Sequence, residues 1–186
     1  MSLEMKIMVA MCDGNRGFGK NGRLPWPRLK EDVDYYLNKV KHRNNPEKKN
    51  VHIQGRKTWQ GSHRSRTSDH NQIQIVISSS LDASKDPLHP IVVPSFEEAV
   101  KVATSPEVKS QVESIWIIGG QRVYEAAISH PLCKRIYLTR IYKDFDSDVF
   151  FPSFEDAFTE SSDPEVDGTI REDNGIQFRF EVYDRK

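Results

Sequence analysis

The sequence predicts a single α/β domain: a mostly parallel, twisted sheet with helices on both faces and an antiparallel strand closing it at the C-terminus. Three observations carry that expectation. Short β-rich apolar runs alternate with helical patterns along most of the chain, as expected for parallel strands joined by crossover helices. The length, 186 residues, is enough for one full core and falls near the common single-domain size. The last run places Ile176, Phe178, Phe180 and Val182 in alternation with Gln177, Arg179, Glu181 and Tyr183, just after Asn174-Gly175. A turn followed by period-two alternation is an antiparallel return.

Taken in order, strands are expected at residues 6–12, 50–54, 72–77, 91–93, 114–118, 135–141 and 176–183, with helices at about 30–42, 57–61, 95–103 and 121–129. Ser95 ahead of Phe96-Glu97-Glu98 is an N-cap followed by first-turn acids, which starts a helix there. Residues 61–71 and 161–175 are polar and turn-rich, and both are expected to be surface loops. The Lys/Arg-rich stretch 39–49 also holds Pro46, Glu47 and two asparagines, so it is expected to be a solvated loop rather than a binding patch. No internal repeat or linker divides the chain, so residues 1–186 are expected to form one domain.

Composition narrows the function. Lys plus Arg (27) equals Asp plus Glu (27), so no net field recommends a nucleic acid or an anionic membrane as partner. There is no apolar run of spanning length, and the N-terminus lacks the order of a secretion signal. A soluble, cytoplasmic protein is expected. Cys12, placed in a strand, and Cys133, placed in a loop, are too few for a disulfide framework or a zinc site. No metal is expected: Asp13-Gly14-Asn15 lacks the later glycine and closing glutamate of a calcium loop, and His63, Asp69 and His70 have no ligand spacing. No Ser/His/Asp or Cys/His order suggests a nucleophile.

Four segments carry chemistry. Residues 115–128, Ile-Trp-Ile-Ile-Gly-Gly-Gln-Arg-Val-Tyr-Glu-Ala-Ala-Ile, run from a strand through Gly119-Gly120 into a helical pattern, the architecture of an anion-binding strand end. Gly17-Phe18-Gly19-Lys20-Asn21-Gly22 spells a dinucleotide fingerprint, but Pro25 and Pro27 prevent a helix from continuing through it, so it is expected to be a mobile glycine loop. That loop ends in Leu24-Pro25-Trp26-Pro27, and Glu31-Asp32 follow in the first turn of a helix. Gly55-Arg56-Lys57-Thr58-Trp59 brings backbone amides and two cations to a strand end.

Together these segments resemble the dihydrofolate reductase family, from about residue 5 to 183, with Thr139-Arg140, Asp144-Phe145 and Phe150-Phe151-Pro152 matching animal members. The resemblance implies that family's fold, NADPH as cofactor, and reduction of 7,8-dihydrofolate to tetrahydrofolate by hydride transfer to C6 with protonation at N5. It selects Asp32 over Glu31, which then faces solvent, as the carboxylate that holds the pterin. Leu24, Trp26 and Thr139 join Asp32 in the catalytic set. Ala10, Val33, Tyr36, Ile118 and Tyr124 are implied around the substrate. For the cofactor it implies Ala10, Phe18, Gly22, Gly55, Arg56, Lys57, Thr58, Ser78, Ser79, Ser95, Gly119, Gly120, Gln121, Arg122 and Val123. Within this set Arg56, helped by Ser78 and Ser79, takes the adenosine 2′-phosphate, and the Gly119–Gly120 bond is cis. Folates and antifolates are the implied small-molecule partners, and the implied state is a monomer.

The chain departs from the family pattern at identifiable places. It is one residue longer between Ala10 and Trp26, and Tyr36 stands where phenylalanine is usual. The arginine that grips the folate α-carboxylate is replaced by Gln72, and the usual Pro-Leu by Ser68-Asp69; Arg64 or Arg66 is left as a substitute cation. Two alternatives stay open at this point: a diverged or weak reductase of another pterin, and a non-catalytic NADPH-binding protein of the same fold.

Overall fold

The run Met-Lys-Ile-Met-Val-Ala-Met-Cys is almost continuously apolar, and a strand of that kind belongs in the interior of a parallel sheet. The computed structural model, which describes residues 3–61 and 69–186, places it there as β1 (Met5–Cys12), with Met5, Ile7 and Cys12 fully excluded from solvent. There follow β2 (Gly17–Gly19), α1 (Lys30–Lys41), β3 (Lys49–Gly55), α2 (Arg56–Gly61) and β4 (Gln72–Ile77). After a 3-10 turn at Ala83–Lys85 come β5 (Ile91–Val93), α3 (Phe96–Thr104), α4 (Pro106–Lys109), β6 (Val112–Ile117) and α5 (Gln121–Ile128). The chain ends with β7 (Cys133–Ile141), β8 (Val149–Phe150), β9 (Phe158–Ser161), β10 (Arg171–Asp173) and β11 (Ile176–Arg185).

Among the described residues the main sheet runs β10-β11-β7-β1-β6-β3-β4-β5, with β9 also on β11. All pairs from β7 to β5 are parallel, whereas β11 returns antiparallel to β7, so the predicted class holds. Strand alternation sends Ile7, Val9, Ile115, Ile117 and Leu138 to one face, where Phe96, Ala99 and Val100 of α3 and Val123, Tyr124 and Ala127 of α5 cover them. Met8, Trp116, Tyr137 and Val182 face the other way, against Val40 of α1.

Several expectations change. Cys133 is the buried first residue of β7, not a loop residue, because its amide closes onto the His130 carbonyl as the strand starts. The stretch 39–49 is loop only from 42 to 48: Val40 is buried in α1, and the loop is pinned where Glu113 accepts from the Asn44 and Asn45 amides (2.7 and 2.9 Å). Residues 161–175 are not simply loop. Ser161 ends β9, and β10 makes a hairpin with β11 through Asn174 (φ 50°) and Gly175 (φ 71°). Its Asp173 accepts from the Lys30 amide at 2.7 Å, so this hairpin caps α1 from outside. Strands β2, β8 and β9 and helix α4 are too short to show in periodicity. Residues 62–68 of the expected loop 61–71 lie outside the described residues.

Glu181 of β11 is buried with a charge, which demands partners. Arg140 Nε donates to both carboxylate oxygens (3.0 and 3.1 Å), Tyr183 Oη donates at 2.7 Å, and Arg179 adds a further donor. Burial pushes this carboxyl up, but these donors outweigh it and hold it below the usual range. A depressed folded-state pKa contributes stability above the unfolded value, about 4.3, that is lost as pH falls through the folded value. Glu181→Ala should therefore cost about 3–5 kcal/mol in urea denaturation at pH 7, and Glu181→Gln should flatten the fall of stability between about pH 5 and 3.

Candidate active site

The crevice lies where connections leave the sheet in opposite directions. From β1 the chain crosses to β3 by way of α1, whereas from β6 it crosses back to β7 by way of α5, and the order β7-β1-β6-β3 leaves a gap at the strands' C-terminal ends. Asp32 enters this gap from the first turn of α1 and is 7% exposed. Thr139 of β7 donates its hydroxyl to it at 2.7 Å. Burial raises the Asp32 carboxyl above the ordinary range, and the Thr139 hydrogen bond opposes the shift without cancelling it. Glu31 is exposed as expected, although it does not simply face water: Arg171 of β10 donates to it at 2.9 Å.

Trp26 is buried, and its indole Nε1 has no hydrogen-bond partner among the described residues. Ala10 pairs with Thr139 in the β1–β7 register and is half-buried, as are Val33, Tyr36 and Ile118. Leu24, by contrast, is 53% exposed, where the glycine loop ends. Tyr124 is fully enclosed and donates to the Met8 carbonyl at 2.9 Å, so its hydroxyl is turned into the core rather than toward the crevice.

A second group assembles around two glycines. The Gly119–Gly120 bond is cis, and Gly119 has φ +118°; a Cβ there would stand 3.3 Å from Tyr124 Oη and 3.4 Å from Thr58 Oγ1. Gly55 N donates to the Gly119 carbonyl at 2.8 Å, which joins the end of β3 to this turn. Helix α5 begins on Gly120 with no side-chain cap, leaving its first amides available. Val123 is buried beneath, Lys57 and Arg122 are exposed, and Gln121 turns aside to accept from the Phe150 amide (2.9 Å). Exposed Arg56 lines a cavity of about 460 Å³ with Gln60, Ser80, Leu81, Asp82, Lys85, Asp86 and Pro87. Ser78 accepts from the Ser80 and Leu81 amides and shapes that wall, with exposed Ser79 beside it. Ser95 accepts from Glu98 N at 3.1 Å, so its side chain caps α3 as the sequence suggests.

The glycine loop is less free than expected. Phe18 packs edge-on to Tyr124 at 5.3 Å, exposed Gly22 (φ +74°) brings its carbonyl close to Gly61, and Lys20 pairs with Asp146 at 3.0 Å. Asp144 accepts from Gly14 N and Asn15 N (2.9 and 3.1 Å), and Asp148 from Asn21 N (2.8 Å). The alternating acids 144, 146 and 148 were a sequence signal for this attachment that composition alone did not expose.

Gln72 is tied into a network that contiguous motifs do not show. Its Oε1 accepts from Gln74 (3.0 Å) and its Nε2 donates to Asp69 (3.2 Å), while Gln74 reaches His52 Nδ1 (3.2 Å) and Gln54 (2.8 Å). The amide is thus part of an internal ladder ending in a carboxylate, with Lys41 4.0 Å from Asp69. Arg64 and Arg66 lie outside the described residues.

A family model described as dihydrofolate reductase matches residues 5–185. The chain is 36% identical over 184 residues to the dihydrofolate reductase of Drosophila melanogaster, covering 98% of both chains. Against the dihydrofolate reductase of Gallus gallus it is 37% identical, covering 98% of this chain and 96% of that one. The solved structure of Schistosoma mansoni dihydrofolate reductase superposes with a TM-score of 0.85 at 30% identity, covering both chains completely. With sequence match and superposition both running end to end, the chain belongs to the dihydrofolate reductase family.

Proposed function

We propose that this chain reduces 7,8-dihydrofolate to 5,6,7,8-tetrahydrofolate with NADPH, and the observation that carries the reading is the buried Asp32–Thr139 pair at the crevice floor. A carboxylate so placed can accept two hydrogen bonds from a pterin ring nitrogen and its exocyclic amino group, fixing the ring bidentately. Its raised pKa keeps a proton near the substrate at pH values where an exposed carboxylate has lost it. The Trp26 indole N–H, which lacks a partner among the described residues, is suited to hold a water against the ring on that proton's path to N5. Leu24 closes over the ring, with Ala10, Val33, Tyr36 and Ile118 around it, while Tyr124 supports the crevice from below.

The residues present fit NADPH. The turn at Gly119–Gly120 and the uncapped amides of Gln121, Arg122 and Val123 suit a pyrophosphate, with Lys57 and Thr58 opposite. Arg56, Ser78 and Ser79 suit the 2′-phosphate, and Ala10, Phe18 and Gly22 border the nicotinamide end, with Ser95 beside the adenosine. NADPH supplies the hydride; the chain supplies orientation and dryness. Balanced charge supports a reading without a nucleic-acid partner, and no helix among the described residues is long and apolar enough to cross a membrane. We read residues 1–186 as one domain acting as a cytoplasmic monomer.

Turnover limited by protonation should fall as pH rises through the elevated Asp32 pKa. Asp32→Asn should lose most turnover near neutrality and regain part of it in acid, where solution protonates the substrate; Glu31→Gln should change little. NADPH oxidation followed by absorbance across pH 5–9 measures both, and a damaging Glu31 change would place the wrong carboxylate in the site. The same assay applied to Arg56→Ala should show about a 10- to 150-fold rise in KM for NADPH and almost none for NADH, the consequence of losing one charge-assisted contact. Equal losses would move Arg56 off the 2′-phosphate.

The Gln72 ladder favours weak recognition of the folate tail, because it ties the amide to Asp69, whose negative charge is only partly offset by Lys41 at 4.0 Å. Asp69→Asn should tighten methotrexate and leave trimethoprim unchanged, as read by calorimetry. Gln72→Arg alone should be blunted by pairing with Asp69, and the double change should gain about 1–3 kcal/mol for methotrexate. No gain in the double variant would show that another cation already serves the tail.

A further inference from the structure

We propose that Arg16 is a positioning residue: its guanidinium clamps the root of the glycine loop to the segment Pro152–Glu155 and thereby holds Phe18, Leu24 and Trp26 in register with the crevice. The inference rests on the functional reading above and extends it to a residue that neither the sequence motifs nor the pterin and cofactor contacts require.

Residues 13–16 join β1 to β2, and Arg16 is their last. Its backbone is left-handed (φ 61°), a conformation disfavoured for a side chain of this size unless the surroundings hold it. They do so on both main-chain and side-chain atoms. Arg16 N donates to the Cys12 carbonyl at 3.1 Å, and its own carbonyl accepts from Phe151 N at 2.8 Å. Its guanidinium donates to the Pro152 carbonyl at 3.3 Å, pairs with the Glu155 carboxylate, and lies 5.5 Å from the centre of the Phe154 ring. The Arg16 side chain is 30% exposed and that of Glu155 49%, so the ion pair is partly open to solvent and the Pro152 and Phe154 contacts share in holding the guanidinium. Glu155 is itself fixed, since the Phe154 amide and the Ser153 hydroxyl donate to its other oxygen.

What Arg16 grips is continuous with the reaction crevice. Phe154 packs on Phe151 (5.6 Å), Phe151 on Tyr124 (5.1 Å), and Tyr124 on Phe18 of the loop (5.3 Å). Tyr124 in turn abuts Gly119. The loop is thus held at its root by Arg16 together with Asp144, and in its middle by Phe18, through a chain of rings that ends at the turn assigned to the cofactor. Past Phe18 the short β2–β8 ladder holds it, with the Gly19 carbonyl accepting from Asp148 N at 2.9 Å, and its outer edge has exposed side-chain attachments, Lys20 on Asp146 and Asn21 on Asp148. Such exposed contacts fix little by themselves. Release of the root would let the tip shift, and a displacement near 1 Å in a reacting geometry slows chemistry by as much as about a hundredfold.

The test uses the full chain with Arg16→Gly, Arg16→Ala and Glu155→Gln. Arg16→Gly is the informative variant, because glycine relieves the left-handed backbone and so removes the guanidinium without the strain that alanine retains. Arg16→Gly should melt at or near the wild-type temperature. Its single-turnover rate with NADPH and dihydrofolate should nevertheless fall about tenfold, NADPH affinity should change less than about twofold, and cleavage at Lys20 by a lysine-specific protease should accelerate about tenfold. Glu155→Gln should shift the same readouts in the same direction by less. A wild-type single-turnover rate together with wild-type cleavage in Arg16→Gly overturns the clamp, as does a loss of rate that merely parallels lost NADPH affinity. If the wild-type chain itself fails to turn over dihydrofolate, the functional reading falls, while the Lys20 cleavage comparison still decides the clamp.

Discussion

The structure is organised around the need to keep one carboxylate dry. Asp32 has been taken out of water, with the Thr139 hydroxyl donating to it. An ionised carboxyl in such a place is costly unless something compensates, so it holds its proton more tightly and retains accepting capacity for an incoming ligand. That single condition dictates where α1 must begin and which strand must lie against it. β7 supplies the hydroxyl, and β1, in register with β7 at Ala10, supplies the floor between them.

Holding α1 at that depth requires support at its N-terminus, which no residue of its own provides. Leu29 cannot cap, so the outer hairpin of β10 and β11 does it: Asp173 takes the Lys30 amide, Asn174 Nδ2 donates to the Arg28 carbonyl, and Arg171 pairs with Glu31. Far-separated segments thus converge to place one side chain. The glycine loop follows the same logic, for it is anchored by Asp144, Asp148 and Arg16 to the chain around residues 144–155 rather than by local turns alone. Across the crevice the two glycines lie in a turn where a side chain on Gly119 would meet Tyr124 and Thr58, which leaves backbone and helix amides as the groups that face outward.

Much of this was legible in the chain. Alternation of apolar runs and helical patterns located the main parallel strands and the helices near 30, 57, 96 and 121, and Asn174-Gly175 located the final hairpin turn. The difference in burial between Glu31 and Asp32 was also legible, because family resemblance sets the helix register. Sequence and structure part where local signal is weak. Strands of two to four residues, such as β2, β8 and β10, carry no usable period, and a polar stretch such as 161–175 looks like loop until its pairing partner is known.

By itself, then, the sequence determined the class of fold, the family, and the residue types that meet at the crevice, since those depend on periodicity and on motifs contiguous along the chain. Tertiary structure alone decided which groups face each other. Gln72, read as a weak replacement for a missing arginine, became part of a ladder with Gln74 and Asp69. Arg16, an unremarked cation in a turn, became the link between the loop's root and Glu155. Both outcomes depend on hydrogen-bond saturation and charge pairing between segments brought together only by packing, and pairing of that kind leaves no period or spacing in the sequence.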